Sequence, residues 1–187
     1  MANELRGRRV AIMAADMLER VELTEPRKAI EEAGAETELI SLKPGKVRSF
    51  DHFDPSKEFK VDRTVQEARP EDYDALFLPG GVGNPDQLRM DRDAMAFVRS
   101  FYESGRPIGA ICHAPWVLIE ADVVRGRRVT SWPSLQTDIR NAGGQWVDEP
   151  VVIDGQLATS RGPDDLPAYT KALVEHFAKA PERVGAR

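Results

Sequence analysis

The segment Ala110-Ile111-Cys112-His113-Ala114 places the one cysteine of the chain beside one of its three histidines. A thiol next to an imidazole can combine a nucleophile with a proton carrier, which suits attack on an electrophilic carbonyl. The segment sits between an apolar run, 107–111, and a helical pattern, 114–121. A residue on such a strand-to-helix turn is lifted above the sheet, and its neighbours two positions either side must be small. The G-x-S-x-G nucleophile elbow uses glycine there, and Ala110 and Ala114 fill those places here. Two expectations follow. The Cys112 sulfur lies at a helix N-terminus, where partial positive charge favours thiolate. The His113 N–H points where an oxyanion would form. The alternative is a buried core thiol, since free cysteine is often fully buried.

A second oxyanion donor is expected from Pro79-Gly80-Gly81, where glycine lets a backbone N–H approach a ligand closely. Gly81 is the chosen donor; a plain turn at a strand end is the competing reading. Trp132 and Arg161 are candidates to line a substrate pocket, against core packing for the first and a structural salt bridge for the second. Gly81-Val82-Gly83-Asn84-Pro85-Asp86 has two glycines of a dinucleotide fingerprint but carries Asp86 where the third belongs, so no nucleotide is expected. No metal and no other cofactor is expected, because neither His52 nor His176 has ligand spacing to Cys112 or His113. His176 reads as a surface residue near a helix end, and His52 as exposed in an irregular segment.

These residues need a scaffold. Val10–Ala15, Ala75–Leu78 and Pro107–Ile111 are short apolar runs that read as buried strands. Glu36–Leu42 reads as another. Thr24-Glu25-Pro26 reads as a helix start, leaving Asp16–Leu23 as a polar loop. Asp91–Ser104 and Pro163–Phe177 are amphipathic helices. Strands near 47–50 and 59–61 form an excursion off the main sheet, separated by Asp54-Pro55-Ser56. Short strands are expected at 128–131, 145–147, 151–153 and 157–160, the last two joined by the hairpin signal Asp154-Gly155. Apolar strands alternating with helices give a mostly parallel sheet covered on both faces. Ligands of such sheets bind beyond the carboxyl ends of the strands, where Asp16–Glu22, Pro79–Asp86 and Cys112-His113 all fall.

The chain has 187 residues and a net charge of −5, with 41% hydrophobic and 30% charged residues. That is globular composition, and the length fits one domain over residues 1–187, with a core over 8–178 and a tail at 179–187 that frays after Pro181. No apolar run has the ~18–20 residues of a membrane span. The polar N-terminus lacks the apolar stretch of a signal peptide. A single cysteine makes a reducing, cytoplasmic setting the default, and the acidic balance argues against nucleic acid as the main partner.

Taken together, the motifs resemble the DJ-1/PfpI family, specifically its PfpI-like branch. The resemblance runs from about Arg9 to Phe177. It is carried by the segments 14–23, 74–81 and 105–115, and by Thr130-Ser131-Trp132-Pro133, Asn141-Ala142-Gly143, Trp146-Val147-Asp148 and Thr159-Ser160-Arg161. It implies a flavodoxin-like three-layer sandwich, similar to class I glutamine amidotransferases, with an elbow cysteine and an acid hydrogen-bonded to it. By motif position that acid is Glu19, with Glu22 ranked second. It would be neutral at pH 7, since a carboxylate beside a thiolate would be repelled. The resemblance further implies a histidine-orienting acid from a neighbouring subunit. Asp86 fits that place, though with Asp for the expected Glu and one extra residue before it. The implied assembly is a homodimer or a trimer of dimers. The implied activities are glutathione-independent conversion of methylglyoxal to lactate, removal of early glycation adducts from proteins, and intracellular peptidase activity, so the substrate is a small aldehyde or a glycated or peptide chain. A redox-sensing or chaperone role built on an oxidisable Cys112 is a further alternative.

Overall fold

The structure, a computed structural model, describes residues 3–181. The part of the expected tail at 182–187 lies outside the described residues. The strands are β1 (Arg9–Met13), β2 (Leu18–Glu19), β3 (Glu36–Ser41), β4 (Lys46–Asp51), β5 (Asp54–Lys60), β6 (Arg63–Thr64), β7 (Ala75–Leu78), β8 (Ile108–Ile111), β9 (Arg128–Val129), β10 (Gln145–Trp146), β11 (Val151–Asp154) and β12 (Leu157–Ser160). The helices are α1 (Arg20–Glu32), α2 (Gly83–Leu88), α3 (Arg92–Glu103), α4 (Pro115–Glu120), α5 (Gln136–Asn141) and α6 (Leu166–Phe177).

Seven strands form the central sheet in the order β11-β12-β8-β7-β1-β3-β6. All neighbours run parallel except the β11–β12 hairpin, which turns at Asp154-Gly155. The strands are apolar because both faces are covered. Along β1, Ala11 and Met13 enter one core while Val10 and Ile12 enter the other. The first core lies under α3, α4 and α5, and the second under α1 and α6. Gly109 lets α6 close onto β8: a Cβ there would lie 2.3 Å from Leu173 Cδ1. This is the flavodoxin-like sandwich that the sequence predicts.

The order of the sheet brings the carboxyl ends of β1, β7 and β8 side by side. The chain runs from β1 to β3 and β6 on one side and then crosses to β7 on the other side of β1, so a crevice opens at the switch point. The excursion after β3 is a hairpin, β4–β5, joined to β2 in a small separate sheet. Asp54-Pro55-Ser56 belongs to β5 rather than to a break between strands.

One boundary differs in a way that matters. Helix α1 begins at Arg20, not at Thr24. Asp16–Leu23 is therefore not a polar loop, and Pro26 lies inside the helix. Proline has no N–H, so the Glu22 carbonyl four residues earlier loses its helical partner. Tertiary packing outweighs this: Glu22, Leu23, Pro26 and Ile30 form the buried stripe of α1.

Candidate active site

Cys112 follows β8 directly and has φ of +63°, a left-handed conformation that costs a non-glycine residue about 1–2 kcal/mol. The surroundings impose it. Cys112 N–H donates to Ser160 O of β12 at 3.0 Å, and Cys112 O accepts from Trp132 N at 2.9 Å. Ala114 N–H closes the turn onto Ile111 O at 3.0 Å. The elbow is thus held from both sides, and strain of this kind concentrates at functional positions.

The sulfur meets four groups. His113 Nδ1 lies 3.1 Å from Sγ. The backbone N–H groups of Gly81 and His113 lie near enough to favour its charged form. The fourth group is the carboxyl of Glu22, within hydrogen-bond reach of the thiol. Glu22 is fully buried, and its Oε2 also accepts from Gly81 N–H at 3.1 Å. The loop of Pro79, Gly80 and Gly81 passes so close that a Cβ on Gly80 would lie 2.3 Å from Glu22 Oε2 and 2.6 Å from Cys112 Cβ. Gly81, with φ of +78°, lies equally tight against the backbone at Met17–Glu19. Glycine is required at both positions.

The acid beside the sulfur is therefore Glu22, not Glu19. Glu19 ends β2, and its pairing with β4 turns the side chain to the hairpin. There Oε2 accepts from His52 N–H at 3.0 Å. Glu19 still acts on the site at a distance, because its charge opposes ionisation of Glu22. The sequence signal for Glu22 was present: an acid at the helical spacing of Leu23, Pro26 and Ile30 is an acid on an apolar face.

Burial pushes Glu22 up to about 8, aided by Glu19 and opposed by the Cys112, Gly81 and Gly80 contacts. Cys112, 6% exposed, is also pushed up, by burial first and then by the Glu22 charge. This corrects the expectation of a thiolate set by the helix terminus alone. The Gly81 and His113 amides pull the thiol down, but burial outweighs them. With Glu22 protonated, the repulsive charge disappears and the amides face only the desolvation cost. The two groups thus share their proton inventory. Burial lowers His113 to about 4, so its ring is neutral at pH 7.

The His113 ring lies between Trp116 and Trp132, with centroids 5.2 and 6.0 Å away. Its Nε2 is 3.3 Å from Ser134 Oγ, a contact that no sequence pattern announced. Asp86 does not meet His113 within the chain. It sits on α2, half exposed, and accepts from Arg89 at 2.7 Å. Arg89 in turn lies over the Trp116 ring, 4.7 Å from its centroid. Trp132 and Arg161 share an open cleft of about 400 Å³ with His52 and Asp148. Arg161 is held there by Asp165 and Asp148, each contact at 2.8 Å, which leaves its charge matched. Asn84, fully buried on α2, secures the Gly80–Gly81 loop. It donates to Pro79 O and Gly80 O and accepts from Ala15 N at the end of β1. His176 is buried, not a surface residue, and its Nε2 lies 2.8 Å from Gln156 O.

A doubly covered parallel sheet that presents a strained elbow cysteine, flanked by a buried acid and two amide donors, defines a class of cysteine-centred α/β proteins. The DJ-1/PfpI family pattern matches residues 8–176, and the chain belongs to this family. It is 41% identical over 169 residues to "Protein/nucleic acid deglycase 2" of Escherichia coli, covering 90% of this chain and 96% of that protein. It is 39% identical to a deglycase of Pyrococcus abyssi, over 89% of this chain and 98% of that protein. It is 38% identical to a Bacillus subtilis protein named "Putative cysteine protease YraA", over 88% of this chain and 95% of that one. Among solved structures, Drosophila melanogaster DJ-1beta superposes with a TM-score of 0.83 at 26% identity, covering 95% of this chain and 91% of that one. No helix of the described residues is long and apolar enough to cross a membrane.

Proposed function

We propose that the protein is a cysteine-dependent enzyme for reactive carbonyls, converting methylglyoxal to lactate without glutathione or removing early glycation adducts from proteins. The observation that carries this reading is the Cys112 thiol on its strained elbow, with Glu22, His113 Nδ1 and two amide N–H groups converging on it. In the aldehyde reaction Sγ attacks the aldehyde carbon, giving a hemithioacetal whose oxygen takes hydrogen bonds from Gly81 and His113 N–H. His113, neutral at pH 7, removes the proton from that carbon and returns one to the neighbouring carbon, giving a lactoyl thioester. Water attacks the thioester carbonyl, Sγ leaves as thiolate, and lactate departs. The balance is methylglyoxal plus water to lactate. Names of two relatives as deglycases support this substrate class.

Peptidase activity is the second reading, supported by the Cys112–His113 contact and the name of the Bacillus relative. It asks for an acid on His113, and Asp86 would have to supply it from a neighbouring copy in a dimer or trimer of dimers. The test is to assay wild type and Cys112→Ala on methylglyoxal, on a glycated peptide and on a fluorogenic peptide. Lactate formation or adduct release that Cys112→Ala abolishes supports the proposal. Cleavage of the fluorogenic peptide alone favours the peptidase. No turnover with a persistent Cys112 sulfinate favours the redox sensor. Turnover that survives in Cys112→Ala removes the thiol from the mechanism.

A further inference from the structure

His113 is engaged at both ring nitrogens, Nδ1 by Cys112 Sγ at 3.1 Å and Nε2 by Ser134 Oγ at 3.3 Å. His113 is 8% exposed and its ring is walled by Trp116 and Trp132, whereas Ser134 is exposed. The hydroxyl is therefore the link between a buried imidazole and solvent. Ser134 follows Pro133 in a short 3-10 turn that begins directly after Trp132. The amide of Trp132 is bonded to Cys112 O, so the turn is tied to the elbow itself.

We propose that Ser134 is a positioning residue for His113 and the exit of a proton relay running from Cys112 through the imidazole to water. A hydroxyl both donates and accepts, so it can serve either tautomer of the ring, which a carboxylate cannot. The step balances as follows. The Sγ–H bond breaks and an Nδ1–H bond forms. The Nε2–H bond breaks as Ser134 Oγ takes that proton, and Oγ releases its original proton to water. The outcome is a thiolate, a neutral Nδ1–H imidazole that donates to it, and one proton in solvent. The burial that keeps His113 neutral makes the ring a poor store for a proton, so passing the proton on is the route open to it. The ring returns to its starting tautomer by the reverse passage when the sulfur is reprotonated. The arrangement does this with groups of one chain.

The inference rests on Cys112 being the nucleophile but not on its substrate. It is tested by alkylation with iodoacetamide from pH 5 to 10, which needs no turnover. Ser134→Ala is expected to slow alkylation at pH 7 about tenfold, a small part of what general acid–base catalysis supplies. It should also move the midpoint of the profile upward. Ser134→Thr, which keeps the hydroxyl, is expected to stay within about threefold of wild type. Rates and midpoint unchanged in Ser134→Ala would overturn the relay, as would equal impairment in Ser134→Ala and Ser134→Thr. ¹⁵N spectra of wild-type His113 give an independent reading. Nε2 that lacks the shift of a hydrogen-bonded nitrogen would also overturn the proposal. An unreactive wild-type Cys112 would defeat the nucleophile reading itself, whereas a reactive Cys112 indifferent to Ser134 would defeat the relay alone.

Discussion

Glu22, on the same buried face of α1 as Leu23, Pro26 and Ile30, places its carboxyl against the Cys112 thiol while accepting from Gly81 N–H at 3.1 Å. The contact suits a thiol that donates to the Glu22 carboxylate, and charged Glu22 opposes ionisation of that thiol. Above about pH 8, where Glu22 ionises, the thiol therefore becomes harder to deprotonate. Glu22→Gln keeps an N–H donor and removes the charge. Its iodoacetamide profile should rise as a single thiol titration, with a midpoint at least about one pH unit below that of wild type. Superimposable profiles would show that the carboxyl and the thiol are not coupled.

The same acid makes stability depend on pH with a definite sign. Its ordinary value is 4.5 and its folded value about 8. Between these the unfolded chain has released a proton that the native state retains, so stability falls as pH rises, by up to about 1.4 kcal/mol per unit. The contribution is complete below 4.5 and lost by 8. Chemical denaturation of wild type and Glu22→Gln should thus show the variant gaining on wild type from pH 4.5 to 8, with a constant difference beyond. A difference that is flat across this window would contradict a protonated buried Glu22.

The sheet was legible because buried parallel strands are short apolar runs, and the elbow because Ala110 and Ala114 flank a cysteine. Motif position points to Glu19 ahead of Glu22, and Thr24-Glu25-Pro26, with a capping hydroxyl and an early proline, reads as a helix start that leaves Glu22 in a loop. Those marks lost to the burial of Leu23, Pro26 and Ile30 on one face. Glu19 was drawn away by strand pairing between β2 and β4, which two residues of sequence cannot reveal. Ser134 was invisible for a different reason: its contact with His113 spans 21 residues and depends on a turn. His176 sits near the end of α6, where the sequence suggests solvent, yet the β12 hairpin turn brings Gln156 O to it.

Gly80 is predicted to be irreplaceable. An alanine Cβ would press on Glu22 Oε2 at 2.3 Å, on Cys112 Cβ at 2.6 Å and on Ile111 O at 2.7 Å. Two of these atoms belong to the reactive pair and the third is backbone, so relief must displace the elbow or the loop. Gly80→Ala should lose about 1–3 kcal/mol of stability, as overpacked cores do. It should also lose most of the iodoacetamide reactivity of Cys112. Wild-type reactivity in this variant would mean that the loop and the elbow move apart freely.

Asn84 joins two strand ends through one buried side chain. Its Nδ2 donates to Pro79 O at 2.7 Å and Gly80 O at 3.0 Å, and its Oδ1 accepts from Ala15 N at 2.7 Å. Asn84→Ala leaves Pro79 O and Ala15 N without their partner, at about 1–3 kcal/mol each in the worst case, while Gly80 O keeps Glu19 N–H at 3.4 Å. The expected result is a drop in denaturation midpoint together with reduced carbonyl turnover, because the Gly81 donor is no longer fixed. Asn84→Asp, which keeps the acceptor but loses the two donors, should recover only part of the stability. Unchanged turnover in Asn84→Ala would show that Gly81 is positioned by its own contacts.

Strain at the elbow can be separated from the chemistry of the sulfur. Cys112 has φ of +63° in a place fixed by Ser160 O and Trp132 N. Both Cys112→Ala and Cys112→Gly delete the thiol, but only glycine occupies this conformation without penalty. Ordinarily glycine is the less stable choice in regular structure, so the expected order is inverted. Cys112→Gly should match or exceed Cys112→Ala in chemical denaturation, by up to about 1–2 kcal/mol. Alanine proving clearly more stable would mean that the backbone relaxes out of the left-handed region once the sulfur is gone, and that the thiol's own contacts hold the elbow in place.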